Sequence, residues 1–216
     1  MGAGHDHGHA HRRAPWGLRS AGRLARVSSR VRALLGIGPA PKREGLPDLP
    51  LALRHGELAT SYLDAEGHRD HRRAGAVAVS AMEHAAQTGD WWPADVWAHR
   101  ALWHFEQAGL PLQATRQARR IGDLRAAAGD PASARRYYAE AIDEARDIGA
   151  EHEQGLAALG LGRALVDLGA VTEGRRLAGA ALVLLERAGA PTAELEATRA
   201  LLGTEVAVGE APEERS

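Results

Sequence analysis

The chain has 216 residues and a formal net charge of −1, contains no cysteine, and is 44% hydrophobic but only 4% aromatic. This length allows one sizeable domain with tails, and the apolar fraction is large enough for a buried core. The lack of cysteine excludes disulfides and thiolate metal sites, and the near-zero net charge gives no overall field that would attract nucleic acid. Strong helix formers dominate and no alternating strand pattern occurs, so we predict an all-α protein.

The first 49 residues are predicted to form a flexible segment rich in histidine and arginine. Four histidines alternate with other residues near its start: His5, His7, His9 and His11. Neutral imidazoles at this spacing could bind Zn²⁺ or Ni²⁺ weakly, without a preformed geometry. No other cofactor is expected.

Residues 15–36 of this segment are predicted to form a basic amphipathic helix. Its apolar face consists of Leu24, Val27, Val31, Leu34 and Leu35, with arginines between them. Such a helix could lie on an anionic membrane, dock on a partner, contact nucleic-acid phosphates, or fold back and cover an end of the following domain. Residues 37–49 contain Pro39, Pro41 and Pro47 and are predicted to be a linker.

The pattern predicts a helical domain over residues 50–206, beginning with a separate helix at 50–65, and a disordered tail over 207–216. A helix at 192–206 would close the domain. There is no apolar core of a signal peptide and no apolar stretch of membrane-spanning length, so we expect a cytoplasmic protein.

Glycine, alanine and aliphatic residues recur within the helical domain with a period of about 40 residues. The repeated sets are Gly89, Gly129 and Gly169; Gly109, Gly149 and Gly189; Ala101, Ala141 and Ala181; and Leu102, Ile142 and Leu182. Glycine ends a helix readily because it adopts the left-handed conformation without strain. Each unit is therefore predicted to be a helix A, a glycine turn, a helix B and a second glycine turn, with helices of about 15 residues. Asp90 and Asp130 are expected to cap helices that follow turns, and Pro111 and Pro131 to stand at helix starts.

One stretch resembles a tetratricopeptide repeat: Ile121-Gly122, Gly129-Asp130, Ala134, Tyr138 and Ala141. A second stretch continues the resemblance with Leu161-Gly162, Leu165, Gly169 and Ala181. The likeness covers roughly 73–206, with a 40-residue variant of the period. It implies a right-handed α-solenoid of antiparallel helix pairs whose A helices line a concave groove.

The resemblance also implies which positions face that groove. They are Val79, Glu83 and Gln87 in the first unit; Arg116, Arg119, Asp123 and Ala127 in the second; and Leu159, Arg163, Val166 and Asp167 in the third. The three arginines among them could bind an acidic peptide or a terminal carboxylate, or could be ordinary solvated surface.

Two further clusters have alternative interpretations. The aromatic residues Trp91, Trp92, Trp97, Trp103 and Phe105 lie close together in the sequence and are interpreted mainly as core, with a partner anchor as the alternative. His68 and His71 are three positions apart among carboxylates, which also allows a metal site, although surface polarity is the simpler interpretation.

No catalytic motif is present, so we expect a protein that is not an enzyme. The expected function is a scaffold or adaptor that binds a protein or peptide partner in the concave groove. One alternative is a metal-responsive or membrane-tethered accessory protein using the first 36 residues. Another is a regulatory helical-repeat protein of a bacterial transcription or biosynthetic system. Specific nucleic-acid binding is not expected, peripheral membrane contact would use residues 15–36, and self-association through an open end of the repeat array is a further expectation.

Overall fold

The computed structural model describes residues 48–203, which form one 3-10 turn at Leu51–Leu53 and eight α-helices. The helices are α1 Glu57–Gly67, α2 His71–Gln87, α3 Trp91–Gln107, α4 Pro111–Ala127, α5 Pro131–Asp147, α6 Glu151–Asp167, α7 Val171–Arg187 and α8 Thr192–Gly203. Each packs on the next along the chain, and α4 also packs on α6. This part of the chain is therefore an all-α, solenoid-like stack, as predicted.

The helices from α2 to α7 have the same length and are evenly spaced along the chain, beginning at positions 71, 91, 111, 131, 151 and 171. The predicted glycine turns are confirmed, because all six recurring glycines have φ between 65° and 84°. Arg69 holds the same place in the turn after α1, with φ 54°. A left-handed backbone is strained for a residue with a Cβ, and glycine removes that strain elsewhere in the array. We call α2, α4 and α6 the A helices and α3, α5 and α7 the B helices.

The helix starts follow the predicted capping chemistry with one exception. The Asp130 side chain accepts a hydrogen bond from the Ser133 backbone N–H at 3.0 Å, and Pro111 and Pro131 begin α4 and α5. Asp90 precedes α3 but its side chain makes no such bond. The third residue of that helix is Pro93, which has no N–H to donate, and the Asp90 carboxylate instead accepts from the Thr88 hydroxyl at 2.9 Å.

Small residues set how closely the helices approach each other. Tyr138 of α5 fits between two glycines, Gly122 of α4 and Gly160 of α6; a Cβ added at Gly122 would lie 2.7 Å from its ring. Gly162 of α6 faces the backbone of Gly174 of α7, where an added Cβ would lie 2.8 Å from the carbonyl oxygen. Alanines at matched B-helix positions are fully buried, which allows the same short separation in each pair.

The predicted helix over 50–65 is wrong in its bounds. Gly56 has φ 95° and separates the 3-10 turn from α1, which begins at Glu57. The aromatic cluster is divided: Trp97 and Phe105 lie in the core, Trp103 is half-buried, and Trp91 and Trp92 are exposed. None of the helices in residues 48–203 has the length and apolar character needed to cross a membrane.

Candidate partner-binding groove

A groove runs between the A helices α2 and α4, and we call it the α2–α4 groove. Its inner cavity, about 480 Å³, is lined by residues that include Val79, Glu83, Arg116, Arg119 and Arg120. Its outer cavity, about 380 Å³, shares Glu83 and Arg120 with the inner one. The outer lining is completed by Met82, Ala86, Gln87, Trp91, Asp123, Leu124 and Ala127. All seven predicted groove residues of the first two units therefore line one of these two adjoining cavities.

Ion pairs within the protein occupy most of the charges in this groove. Glu153 of α6, with 6% of its side chain exposed, accepts from Arg116 Nε at 2.7 Å and from Arg119 Nε at 3.2 Å. Arg120 donates to Glu83 at 2.7 Å, which joins α4 to α2. Arg116 and Arg119 are thus not the free cations expected from sequence, because one buried carboxylate lies between them.

A tyrosine–carboxylate pair extends this network toward α5. The Tyr138 hydroxyl donates to Asp123 at 2.8 Å, and Arg119 also donates to Asp123 at 2.6 Å. Burial raises the pKa of Tyr138 well above its usual range, and the Asp123 carboxylate beside it acts in the same direction. Desolvation raises the pKa of Asp123, while Arg119 and the Tyr138 hydroxyl oppose that change. The hydroxyl therefore stays protonated and serves as a donor that fixes Asp123 in the groove wall.

The predicted groove residues of the third unit are more scattered. Leu159 is 5% exposed and packs in the core, so the expectation that it faces a ligand is wrong. Val166 lies against Gly174 of α7 and is partly covered. Asp167 is exposed, as is Arg163, which forms no ion pair with any other residue in the 48–203 range. The resemblance placed these side chains on the correct helix but assigned Leu159 to the wrong face.

A second polar cluster lies at the junction of α1, α2 and α3. His104 of α3 is fully buried, with Nε2 2.8 Å from the Tyr62 hydroxyl and Nδ1 3.0 Å from Nδ1 of His71. Arg100 donates to the Tyr62 oxygen at 3.1 Å, and the Tyr62 hydroxyl donates to Glu66 at 3.0 Å. The chain of hydrogen bonds thus ties three helices together.

Proton positions in this cluster follow from the network. Because the Tyr62 hydroxyl donates to Glu66, His104 Nε2–H is the donor to the tyrosine oxygen, and His104 Nδ1 accepts from His71. Such a histidine is neutral. Burial lowers the pKa of His104 to about 4, and the nearby His71 and Arg100 act in the same direction. His104 is therefore a neutral, buried link that helps to fix α1 on its neighbours.

The histidine-based metal hypotheses have different outcomes. His5, His7, His9 and His11 lie outside the described residues. His68 contacts the Asp64 carbonyl at 2.8 Å, whereas His71 lies against His104. Within residues 48–203 no group of three or more histidine or carboxylate side chains is arranged to hold a metal ion. The His68–His71 spacing therefore does not assemble a metal site.

Sequence reasoning missed Glu153 and the Tyr62–His104 contact. In both cases the contacting side chains are far apart in the sequence and lie on different helices. The sequence contained one indication of Glu153. Arg116 and Arg119 are three positions apart on a close-packed helix, and two such arginines need a carboxylate nearby. Nothing local distinguished His104 from a surface histidine.

No protein-family model matches the sequence, and a search of curated proteins finds no similar chain. The fold and the side chains of the α2–α4 groove therefore carry the functional inference.

Proposed function

We propose that this protein is a non-catalytic scaffold of the tetratricopeptide-like type that binds a segment of a partner protein in the α2–α4 groove. The observation that carries this proposal is the continuity of the groove: two cavities sharing Glu83 and Arg120 make an open channel between two A helices. An open channel of this kind can accommodate an extended peptide or a helix, with successive side chains of the partner lying along it.

The outer cavity supplies an apolar anchor point. Met82, Ala86, Leu124 and Ala127 line it, and Trp91 stands at its edge with 43% of its surface exposed. Exposed tryptophan beside an apolar pocket is typical of residues that dominate binding energy at protein interfaces. We therefore expect the partner to place an apolar side chain against Trp91.

The inner cavity offers polar side chains for contact with a partner but carries no strong net charge. Its arginines are neutralised by carboxylates of the same protein, so a partner with a large negative charge gains little from them. Arg163 of α6 lines neither cavity but helps to lower the pKa of Asp123 in the groove wall. This exposed side chain has no ion pair in the described part of the chain and is a cation available to an acidic group beside the groove. The preferred segment is thus apolar at its centre and at most weakly acidic.

Capture from a lysate of the source organism tests the proposal with a matched pair of variants. Trp91→Ala removes the anchor from the outer cavity, whereas Trp92→Ala removes an adjacent tryptophan that is 56% exposed and does not line it. Both changes should leave the helical circular dichroism and the melting temperature close to those of the wild type.

The expected result is a specific partner, identified by mass spectrometry, that binds the wild type and Trp92→Ala but not Trp91→Ala. Arg163→Glu, at a position away from the Trp91 anchor, should also weaken binding of the same partner. Equal retention of the partner by the two tryptophan variants, or loss from both, would contradict a site in the α2–α4 groove.

A further inference from the structure

Helix α1 occupies the place of a B helix that lacks its own A helix. It lies one repeat before α3, so its residues align with those of α3, α5 and α7 at the repeat spacing. In the later units this face contacts the paired A helix: Leu185 lies against Gly155, and Tyr138 lies against Gly122 as well as against Gly160 of the next A helix. The helix preceding α1 in the array would supply the same cover.

The N-terminal half of the corresponding face of α1 is open within the described residues, whereas Ala65, the equivalent of Leu185, is 0% exposed. Leu58 is 37% exposed, whereas its equivalents Ala98, Tyr138 and Ala178 are 0%, 3% and 0% exposed. Ser61 is partly exposed, whereas Ala101, Ala141 and Ala181 are each 0% exposed. A shallow depression lined by Gly56, Glu57, Thr60 and Ser61 lies along the same side. An A helix is thus missing from this face.

The chain itself contains one candidate for the missing helix. From the even helix spacing, the missing A helix would be expected at residues 31–47. Pro39, Pro41 and Pro47 exclude a continuous helix there. The nearest upstream helical pattern is 15–36, which lies outside the described residues. From residue 36 to residue 48 the chain reaches about 40 Å when extended, more than the length of α1, about 16 Å.

Charge favours the same occupant. The segment Glu57–Gly67 carries three carboxylates, Glu57, Asp64 and Glu66, and no lysine or arginine. In a helical 15–36 segment, Arg19, Arg23, Arg26 and Arg30 form one stripe beside the apolar face. Asp64 is paired with Arg73 of α2, and Glu66 accepts from Tyr62 close to Arg100 of α3, so Glu57 is the carboxylate at the open face. An apolar face bordered by arginines complements an open face that contains Leu58 and Glu57.

We propose that residues 15–36 dock as a helix on the open face of α1 in the same molecule and supply the A helix that the first unit lacks. The apolar face of the segment covers Leu58 and Ser61, and its arginine stripe lies toward Glu57 at the start of α1. The basic segment is then part of the fold, with its arginine stripe directed toward α1 instead of toward a membrane or a partner.

Because the chain contains no cysteine, introduced cysteine pairs give an unambiguous test. The full chain carries Ser61→Cys together with Leu24→Cys, Val27→Cys or Val31→Cys, three positions that cover the apolar face whatever the register. The matched control pairs Ser61→Cys with Ser29→Cys, on the opposite side of the segment. A second control pairs Val27→Cys with Val183→Cys on α7, where the valine is 55% exposed.

Mild oxidation of dilute protein should give a disulfide within one chain for at least one apolar-face pair, several-fold faster than for either control. Rates equal to the controls would overturn the proposal, and so would disulfides that form only between chains, which would identify a second copy as the occupant. Binding of the segment to anionic phosphatidylglycerol vesicles with no crosslink in their absence would also overturn it.

A measurement without cysteines guards against an unfavourable crosslinking geometry. Val27→Asp with Val31→Asp should speed amide hydrogen exchange of residues 57–67 in the full chain by about tenfold, since the cover of α1 is lost. Ser29→Asp should leave that exchange unchanged. Equal exchange in both variants would count against docking.

Discussion

From α4 to α7 the helices approach each other through glycines and alanines, whereas α1 meets α2 and α3 around large aromatic and polar side chains. In the first region a tyrosine ring fills the space between Gly122 and Gly160, and two backbones meet at Gly162 and Gly174. In the second, Tyr62 packs edge-on against Trp97 and His104. The regular region is fixed by shape, and the N-terminal region is fixed by a hydrogen-bond network that must stay satisfied.

The difference follows from the position of each region in the array. An interior helix is covered on both sides by repeats with the same spacing, so small residues at fixed positions suffice to bring the backbones together. Helix α1 packs on α2, and its Tyr62 contacts Trp97 and Arg100 of α3. Larger side chains and directed hydrogen bonds hold it there instead. The two regions should therefore respond to different perturbations.

The largest expected effect lies in the regular region and compares two helical glycines. Gly162→Ala should destabilise the fold by roughly 1–3 kcal/mol, because its Cβ meets a backbone oxygen that cannot move aside. Gly179→Ala, where nothing lies within 4 Å of the new Cβ, should stabilise it by roughly 0.5–1 kcal/mol through helix propensity. Urea unfolding at one pH measures both. Similar effects of the two changes would refute the close-approach account of this region.

A pH-dependent effect of intermediate size is expected at the N-terminal region. Folding lowers the pKa of His104 from 6.5 to about 4, so below pH 6.5 the unfolded chain binds a proton that the folded chain does not. Stability should therefore fall as pH drops through this window, by roughly 2 kcal/mol between pH 8 and pH 5 from this residue.

His104→Gln isolates that contribution. The variant is expected to be less stable at pH 8, where it loses the Tyr62–His104–His71 hydrogen bonds, but to lose less further stability on acidification than the wild type. His84→Gln, at an exposed position of α2, is the matched control. Parallel stability curves for wild type and His104→Gln between pH 5 and pH 8 would rule out a buried neutral His104.

The smallest expected effect compares turns of the two regions. Arg69 has φ 54° where later turns have glycine, so Arg69→Gly should stabilise the fold by roughly 0.5–1 kcal/mol. Gly89→Ala, at φ 79°, should destabilise it by about 1 kcal/mol. Thermal melts of both variants measure whether each change raises or lowers the stability of the fold. A loss of stability in Arg69→Gly would mean that the arginine side chain contributes more than its backbone costs.

The same turn shows how far the sequence could be interpreted. Recurring glycines located every turn from Gly89 onward, because the left-handed conformation selects glycine strongly. The turn at Arg69 has no glycine at its left-handed position and was placed only by the predicted end of the helix at residue 65, and the break at Gly56 was not distinguishable from a glycine inside a helix. The even spacing of single helices was therefore predicted only as a repeat of helix pairs, starting from the first complete pair.

The α2–α4 groove was predictable in outline and not in its charges. The resemblance to a tetratricopeptide repeat implied that Val79, Glu83 and Arg116 face a groove, and the three residues do line one cavity. Which carboxylate lies between Arg116 and Arg119 depends on the register of α6 against α4, and no local pattern fixes that register. The role of Trp91 likewise depends on the angle at which α3 leaves its turn. Contacts between helices, not within them, were the part that sequence could not supply.

Site-specific photocrosslinking in the source organism tests the central claim most directly. A photoreactive residue replaces Gln87, which lines the outer cavity of the α2–α4 groove, and in a separate strain it replaces Val183 on α7. The account predicts that the partner identified by capture is crosslinked from position 87 and not from position 183. Crosslinking from position 183 with none from position 87 would contradict a binding site in the α2–α4 groove.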